Sequence, residues 1–246
     1  MTHGSLSSGI GGFELGAQAL GIKTKWTCEI DPLRQDILKW LLPKAKHYGD
    51  MHKVKKPAYV DIITFGFPCQ DISQANTKGK GLEGSKSSLW HEGWRIICNV
   101  RPRIIVIENS PILLHKGLRT ILAQLAQHGY NAEWQIISCK TFGLPHLRKR
   151  LFIVAYSNQV RCQETNRISS KKFSKIISQK GNYTARIQSE FSGNISWQDW
   201  HKTIRSVHHL DDGLPKNILY GLLEAAGDTV SPKVTEWIFS CIEKNF

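Results

Sequence analysis

An α/β architecture built on a buried parallel sheet is the fold class that this sequence predicts, and three stretches carry the prediction. The chain opens with a strand end at 5–8, a glycine turn at Gly9-Ile10-Gly11-Gly12-Phe13 and a helical stretch to about residue 20, the order of a strand–turn–helix unit. Residues 103–107 are a continuous apolar run behind one charge, the pattern of a strand covered on both faces. Residues 60–65 form a third short run, β-branched and aromatic, which Gly66 and Pro68 break, so it hands its loop to a strand end. Sites in open α/β sheets form at such ends. A length of 246 residues suits one large α/β domain, alone or with a small appendage.

In chain order, the first turn brings glycine amides to a helix N-terminus, where they can approach a cofactor closely. A tight structural turn explains it equally well. The dehydrogenase fingerprint G-x-G-x-x-G fails, because Glu14 stands in the place of the third glycine. Residues 25–29 read as the second strand, with Glu29 at its end before Ile30, positioned to accept hydrogen bonds from ribose hydroxyls or merely facing water. A helix over 32–42 follows, and then Asp50 and Met51 put an acid beside an apolar side chain, a pair suited to flank an adenine ring.

Cys69 follows Phe67 and Pro68 on the loop after the 60–65 strand. A thiol attacks only as thiolate, which needs a positive or amide-rich setting to lower its pKa from about 8.5. A small buried residue is the plain alternative. Residues 78–88, rich in glycine, serine and lysine, read as a loop able to close over a ligand, and 89–100 as a helix with Trp90, Trp94 and Ile97 on its apolar face. Glu108 and Asn109 end the 103–107 strand, where a buried acid must be hydrogen bonded or protonated. A helix over 117–128 and strands over 132–138 and 151–156 complete this part, with Arg148 and Arg150 on one side by the two-residue period.

After Ser157 the texture turns polar and basic: residues 157–207 hold nine Lys and Arg against three acids, within a chain of formal net charge +13. Such an excess calls for a polyanionic partner. Trp197, Trp200, His201, His208 and His209 interleave with the basic residues and are suited to stack on bases, or to build a small core. A helix over 214–226, the turn Gly227-Asp228-Thr229-Val230 and a last amphipathic helix opened by Pro232 follow. The chain therefore divides into a main domain over 1–156, a basic segment over 157–207 and a returning part over 208–246. Six cysteines without zinc-site or disulfide-scaffold spacing read as reduced thiols, and no metal is expected. With no apolar leader and no long apolar run, a soluble, cytoplasmic protein without a membrane partner is expected.

Along almost all of its length except about 157–205, the chain resembles the DNA cytosine-5 methyltransferases. The likeness rests, in matching order, on Ser8-Gly9-Ile10-Gly11-Gly12-Phe13, Gly66-Phe67-Pro68-Cys69-Gln70, Glu108-Asn109, His146-Leu147-Arg148-Lys149-Arg150 and Gly227-Asp228-Thr229-Val230. It implies a Rossmann-like methyltransferase fold that binds S-adenosyl-L-methionine, with the basic segment as a target recognition unit and the last helix returning to the first domain. It further implies Cys69 as nucleophile, Glu108 at the N3 edge of a flipped cytosine, and Arg148 or Arg150 at its O2 edge. The cofactor would lie against Gly9, Ile10, Gly11, Gly12, Phe13, Glu29, Ile30, Asp50, Met51, Phe67, Pro68, Leu89, Asp228, Thr229 and Val230. Double-stranded DNA is the implied partner, a cognate restriction endonuclease a further candidate, and a monomer the expected form.

The chain departs from the family pattern in three places: Ser5-Leu6-Ser7 where Asp-x-Phe is usual, with the phenylalanine packing on the cofactor, Asp228 where asparagine is usual, and His146 where glutamine is usual. The first two bear on cofactor affinity and motivate one alternative, a DNA-binding homologue with weak or no turnover. Transfer to an RNA cytosine is the other, since a branch with the same motifs modifies tRNA.

Overall fold

The computed structural model describes residues 1–68, 88–144, 148–158 and 229–244. A seven-stranded sheet runs in the order β3-β2-β1-β4-β5-β7-β6, made of β1 (Thr2–Leu6), β2 (Lys23–Cys28), β3 (Lys46–Tyr48), β4 (Ile62–Gly66), β5 (Ile104–Asn109), β6 (Tyr130–Ser138) and β7 (Lys149–Ser157). The first five pair in parallel, and β7 lies antiparallel between β5 and β6. The helices are α1 (Gly12–Ala19), α2 (Pro32–Leu41), α3 (Ser88–Val100), α4 (Leu113–Lys116), α5 (Leu118–Gln127) and α6 (Pro232–Glu243).

The apolar runs of β4 and β5 are buried along Ile62, Ile63, Phe65 and Ile104 through Ile107, as strands covered on both faces must be. Between β1 and β4 the chain direction of winding reverses, which leaves a crevice beyond the carboxyl ends of these two strands. The 103–107 run is parallel to β4 only; its other neighbour, β7, is antiparallel. Residues 139–148 are too few for a crossover, so β6 and β7 form an antiparallel pair instead. The three-residue edge strand β3 and the short α4 were not expected from the pattern. No helix among the described residues is long and apolar enough to cross a membrane.

Strand β1 begins before the expected 5–8 stretch because its inward residues His3 and Ser5 are polar, yet both are fully buried. His3 spans its neighbours: Nδ1 lies 3.0 Å from Thr24 Oγ1 on β2 and Nε2 lies 2.9 Å from Thr64 Oγ1 on β4. Burial lowers its pKa from the ordinary 6.5 to about 3. Between those values the unfolded chain takes up a proton that the folded chain refuses, so stability falls as pH drops below 6.5. The loss at pH 5 is about 2 kcal/mol from this ring. His3→Gln should remove that part of the slope: the melting-temperature difference between the two proteins should shrink from pH 7 to pH 5. An unchanged difference would assign the acid sensitivity elsewhere.

Helix α6 lies on α1 at two small residues. A side chain at Gly12 would collide with the Val230 carbonyl and with Thr229, and one at Gly16 with Thr235 Oγ1. The Thr235 hydroxyl stands 2.9 Å from the Gly12 carbonyl, a buried contact between residues 223 apart in sequence. Glycine at these positions thus lets the last helix close the outer face of the first, and brings Thr229 and Val230 beside the first turn.

Candidate active site

A cavity of about 620 Å³ opens at the winding reversal, within the range of about 300–1,000 Å³ common for small-molecule sites. It collects residues from the ends of six strands. Of the residues singled out by sequence, Gly9, Phe13, Glu29, Ile30, Asp50, Met51, Phe67, Pro68, Leu89, Glu108, Arg148, Arg150, Thr229 and Val230 line it. Ile10, Gly11 and Gly12 do not line it: a Cβ at Gly11 would meet Leu38 and Leu41 of α2, so Gly11 and Gly12 serve close packing of neighbouring segments. Cys69, His146 and Asp228 lie outside the described residues, as does the whole segment 159–228.

On one side of the cavity the glycine turn and the end of β2 are tied together. Gly9 adopts φ 60°, a left-handed conformation that glycine takes at little cost, and its amide donates to Glu29 Oε2 at 2.8 Å. The Asp31 amide donates to Oε1 at 3.1 Å. Glu29 is therefore an oriented, nearly buried acceptor and not a strand-end acid facing water. Each of its oxygens keeps a second lone pair for a ligand hydroxyl. Asp50 caps the short 3-10 turn of Met51–Lys53, its Oδ1 accepting from the His52 amide at 3.0 Å and lying 2.9 Å from His52 Nδ1. Those contacts hold its carboxyl below the ordinary range.

On the other side stand the groups suited to chemistry. Gly66 and Glu108 are register partners on β4 and β5, so the acid projects beside the start of the Phe67-Pro68 loop. Arg150 Nε lies 2.9 Å from Glu108 Oε1 as an ion pair. Burial raises the Glu108 pKa, while the charges of Arg150 and then Arg148 pull it back. The net shift is upward, so this is an acid prepared to hold its proton longer than an exposed glutamate. Asn109 Nδ2 donates to the Phe67 carbonyl at 2.9 Å, in a buried contact that ties the loop ahead of Cys69 to the end of β5. Beneath the loop, Phe67 and Phe65 pack on Trp90, whose ring centroid is 5.1 Å from that of Phe67. Trp90 Nε1 donates to Gln124 Oε1 at 2.7 Å, which fixes the platform.

Cys28, Arg34, His52 and Ser110 also line the cavity and were not anticipated. A signal existed for Arg34: Asp31 before Pro32 marks a helix start. Asp31 Oδ1 does accept the Arg34 amide at 2.9 Å, which sets Arg34 in the first turn of α2 at the end of β2. Cys28 and Ser110 carry no such signal, because each faces the cavity only through strand ends that meet in three dimensions.

Curated relatives share this sequence in part. The chain is 36% identical over 159 residues to the Type II methyltransferase M2.BsuMI of Bacillus subtilis, covering 61% of this chain and 41% of the relative. It is 31% identical over 162 residues to the Type II methyltransferase M.NgoBI of Neisseria gonorrhoeae, covering 63% of this chain and 50% of the relative. The chain thus spans about two fifths to one half of such relatives. Among solved structures, a DNA modification methyltransferase encoded within an E. coli prophage aligns with a TM-score of 0.55 at 21% identity, over 66% of this chain and 48% of that one. The Entamoeba histolytica methyltransferase EhMeth aligns at 0.53 and 18%, over 63% of this chain and 52% of that one. At these identities the two structures speak for the fold, that of an α/β methyltransferase. Residues 1–217 match the family described as C-5 cytosine-specific DNA methylase, and with the motifs and the sheet order in agreement, the chain belongs to that family.

Proposed function

We propose that this protein transfers a methyl group from S-adenosylmethionine to C5 of cytosine in DNA, through a covalent adduct with Cys69. The observation that carries the reading is Glu108, a partly buried acid with a raised pKa beside Arg150, in one cavity with the Gly9–Glu29 clasp and the loop that leads into Cys69. The residues present fit the donor: Glu29 offers two oriented oxygens to ribose hydroxyls, and Phe13 and Met51 supply apolar walls. When bound, S-adenosylmethionine supplies an electrophilic methyl group to C5.

The residues of the chain then have separate tasks. C5 of cytosine is a poor nucleophile, so the Cys69 thiolate adds to C6, forming a C6–S bond and pushing electrons toward N3 and C5. Glu108 donates its proton toward N3, where the negative charge gathers, and Arg150 or Arg148 offers N–H groups to O2. After methylation a base removes the C5 proton, the C6–S bond breaks and the thiolate returns. The cytosine must leave the duplex stack to reach this loop. Target recognition falls to the basic segment 157–207, because base-edge readout needs a surface outside the cofactor fold.

Incubation with labelled S-adenosylmethionine and either plasmid DNA or tRNA tests the reading. Label should enter DNA, and bisulfite sequencing should find it at cytosine C5. Label in tRNA alone would move the substrate to RNA, and label in neither would make the protein a binding homologue.

Ser7 supplies a further prediction. It lines the cavity at φ 52° where the family packs an aromatic ring, and Trp26 has not moved into that space, since it is buried with its Nε1 donating to the Ala58 carbonyl. Burying an aromatic ring contributes about 1–3 kcal/mol, and the left-handed backbone cost of about 1–2 kcal/mol is one that Ser7, itself not a glycine, already bears. Ser7→Phe should tighten S-adenosylmethionine binding severalfold by calorimetry and lower its KM. Equal or weaker binding would show that Phe13 already fills the gap.

A further inference from the structure

Behind the glycine turn lies a titratable group that the chemistry above does not use. Glu14, in the first turn of α1, is fully buried, and its carboxyl oxygens lie close enough to the Ser5 and Ser8 hydroxyls to feel them, without a well-aligned hydrogen bond among the described residues. A charged carboxylate in that position would cost on the order of several kcal/mol. The polar groups that face it are the hydroxyls of Ser5 and Ser8 and its own amide, and the charged group that reaches it is Glu29, of like sign. From α2, Leu38 and Leu41 approach the turn at Gly11, and from α6, Thr235 and the Glu236 amide meet α1 at Gly16. Among the described residues, no cation is among the influences that set its proton affinity. Burial, with Glu29 adding to it, outweighs the hydroxyls and raises the acid to about 7.

The two serines form a directed chain. Ser5 Oγ donates to Ser8 Oγ at 2.8 Å, and Ser8 Oγ contacts the Cys28 carbonyl at 3.3 Å while accepting the Cys28 amide at 3.2 Å. That chain joins the ends of β1 and β2 directly beneath Gly9, whose amide holds Glu29. Ser5 Oγ still has room to accept one proton. We propose that Glu14 is a positioning residue for the cofactor turn: as the neutral acid it donates its proton to Ser5 Oγ, and loss of that proton weakens S-adenosylmethionine binding. A carboxylate would draw the Ser5 hydroxyl round to donate to it, breaking the link to Ser8. It would also repel Glu29 from the Gly9 amide. The inference rests on the proposed methyl-donor site, and it adds a proton to that site's requirements.

Calorimetric binding of S-adenosylmethionine to the full chain between pH 6 and pH 9, for the wild type and Glu14→Gln, tests it. Glutamine keeps a donor and cannot ionise. The wild-type Kd should rise at least about tenfold across that range, since full coupling gives about tenfold per pH unit above the titration. Glu14→Gln should bind as the wild type does at pH 6, with no such slope. An infrared difference spectrum between the two proteins without ligand should contain a protonated-carboxyl band at pH 6 that fades by pH 9. A wild-type affinity flat with pH, a slope that survives in Glu14→Gln and so belongs to another group, or no carboxyl band at pH 6 would each overturn the inference while leaving the methyl-donor site intact. Failure of both proteins to bind the donor at any pH would overturn the proposed function, and this inference with it.

Discussion

Cys69→Ala is expected to abolish methyl transfer, by at least about a thousandfold in single-turnover rate, while DNA binding stays within a few fold. The sulfur does one thing in the proposed chemistry: it makes C5 nucleophilic by adding to C6, and alanine offers no substitute. Affinity comes from other parts of the protein, since phosphate neutralisation by Lys and Arg dominates DNA binding and the basic residues of 157–207 are untouched by this substitution. Filter binding and a quenched-flow methylation assay read the two quantities separately. Near-normal turnover by Cys69→Ala would refute covalent catalysis here, and a parallel collapse of binding would point to a misfolded loop. The Asn109 contact to the Phe67 carbonyl gives the loop an anchor that does not depend on the thiol, so collapse is not expected.

Glu108→Gln should slow the chemical step by about 10²- to 10³-fold with a smaller change in KM. The amide matches the acid in shape and can still face N3, but it cannot give up a proton to it. The environment makes that proton available: burial holds the Glu108 pKa up against the opposing pull of Arg150 and Arg148. A group with a raised folded pKa is protonated below that value and loses its proton as pH climbs through it. The wild-type single-turnover rate should therefore fall on the alkaline side, and the residual rate of Glu108→Gln should lack that limb. A mutant with an unchanged rate, or with the same alkaline limb, would take Glu108 out of the proton's path. The ion pair with Arg150 adds a control. Arg150→Lys keeps the charge and loses the fixed guanidinium geometry, so it should cost rate without abolishing the pH profile.

How much of the site was legible follows from how each residue comes to it. Glu108 and Phe67 sit at or just beyond the carboxyl ends of strands that announce themselves as apolar runs, and Glu29 follows the more polar β2, so strand logic points all three at the crevice. Strand β1 hides its start because His3 and Ser5 are polar, and their burial is made tolerable only by Thr24, Thr64 and Ser8, none of them adjacent in sequence. Glu14 looked like the flaw in a dinucleotide fingerprint. Its meaning as a buried acid depends on Ser5 before the turn and on Glu29 from another strand.

What the sequence by itself determined is most of the elements, though not the short β3 and α4, and the ordered motifs of the family. Apolar runs, glycine breaks and the ordered motifs from Ser8 through Val230 are local patterns, and local patterns need no partner to be read. What only the tertiary structure decided is which of those residues meet. The pairing of Gly66 with Glu108, the ion pair of Glu108 with Arg150, the clasp of Gly9 by Glu29 and the docking of Thr235 on Gly12 join residues 20 to 223 positions apart. Strand order and register place them together. A carboxyl's proton affinity is then set by its surroundings, through burial and the charges within a few ångströms, and those are properties of the packed molecule.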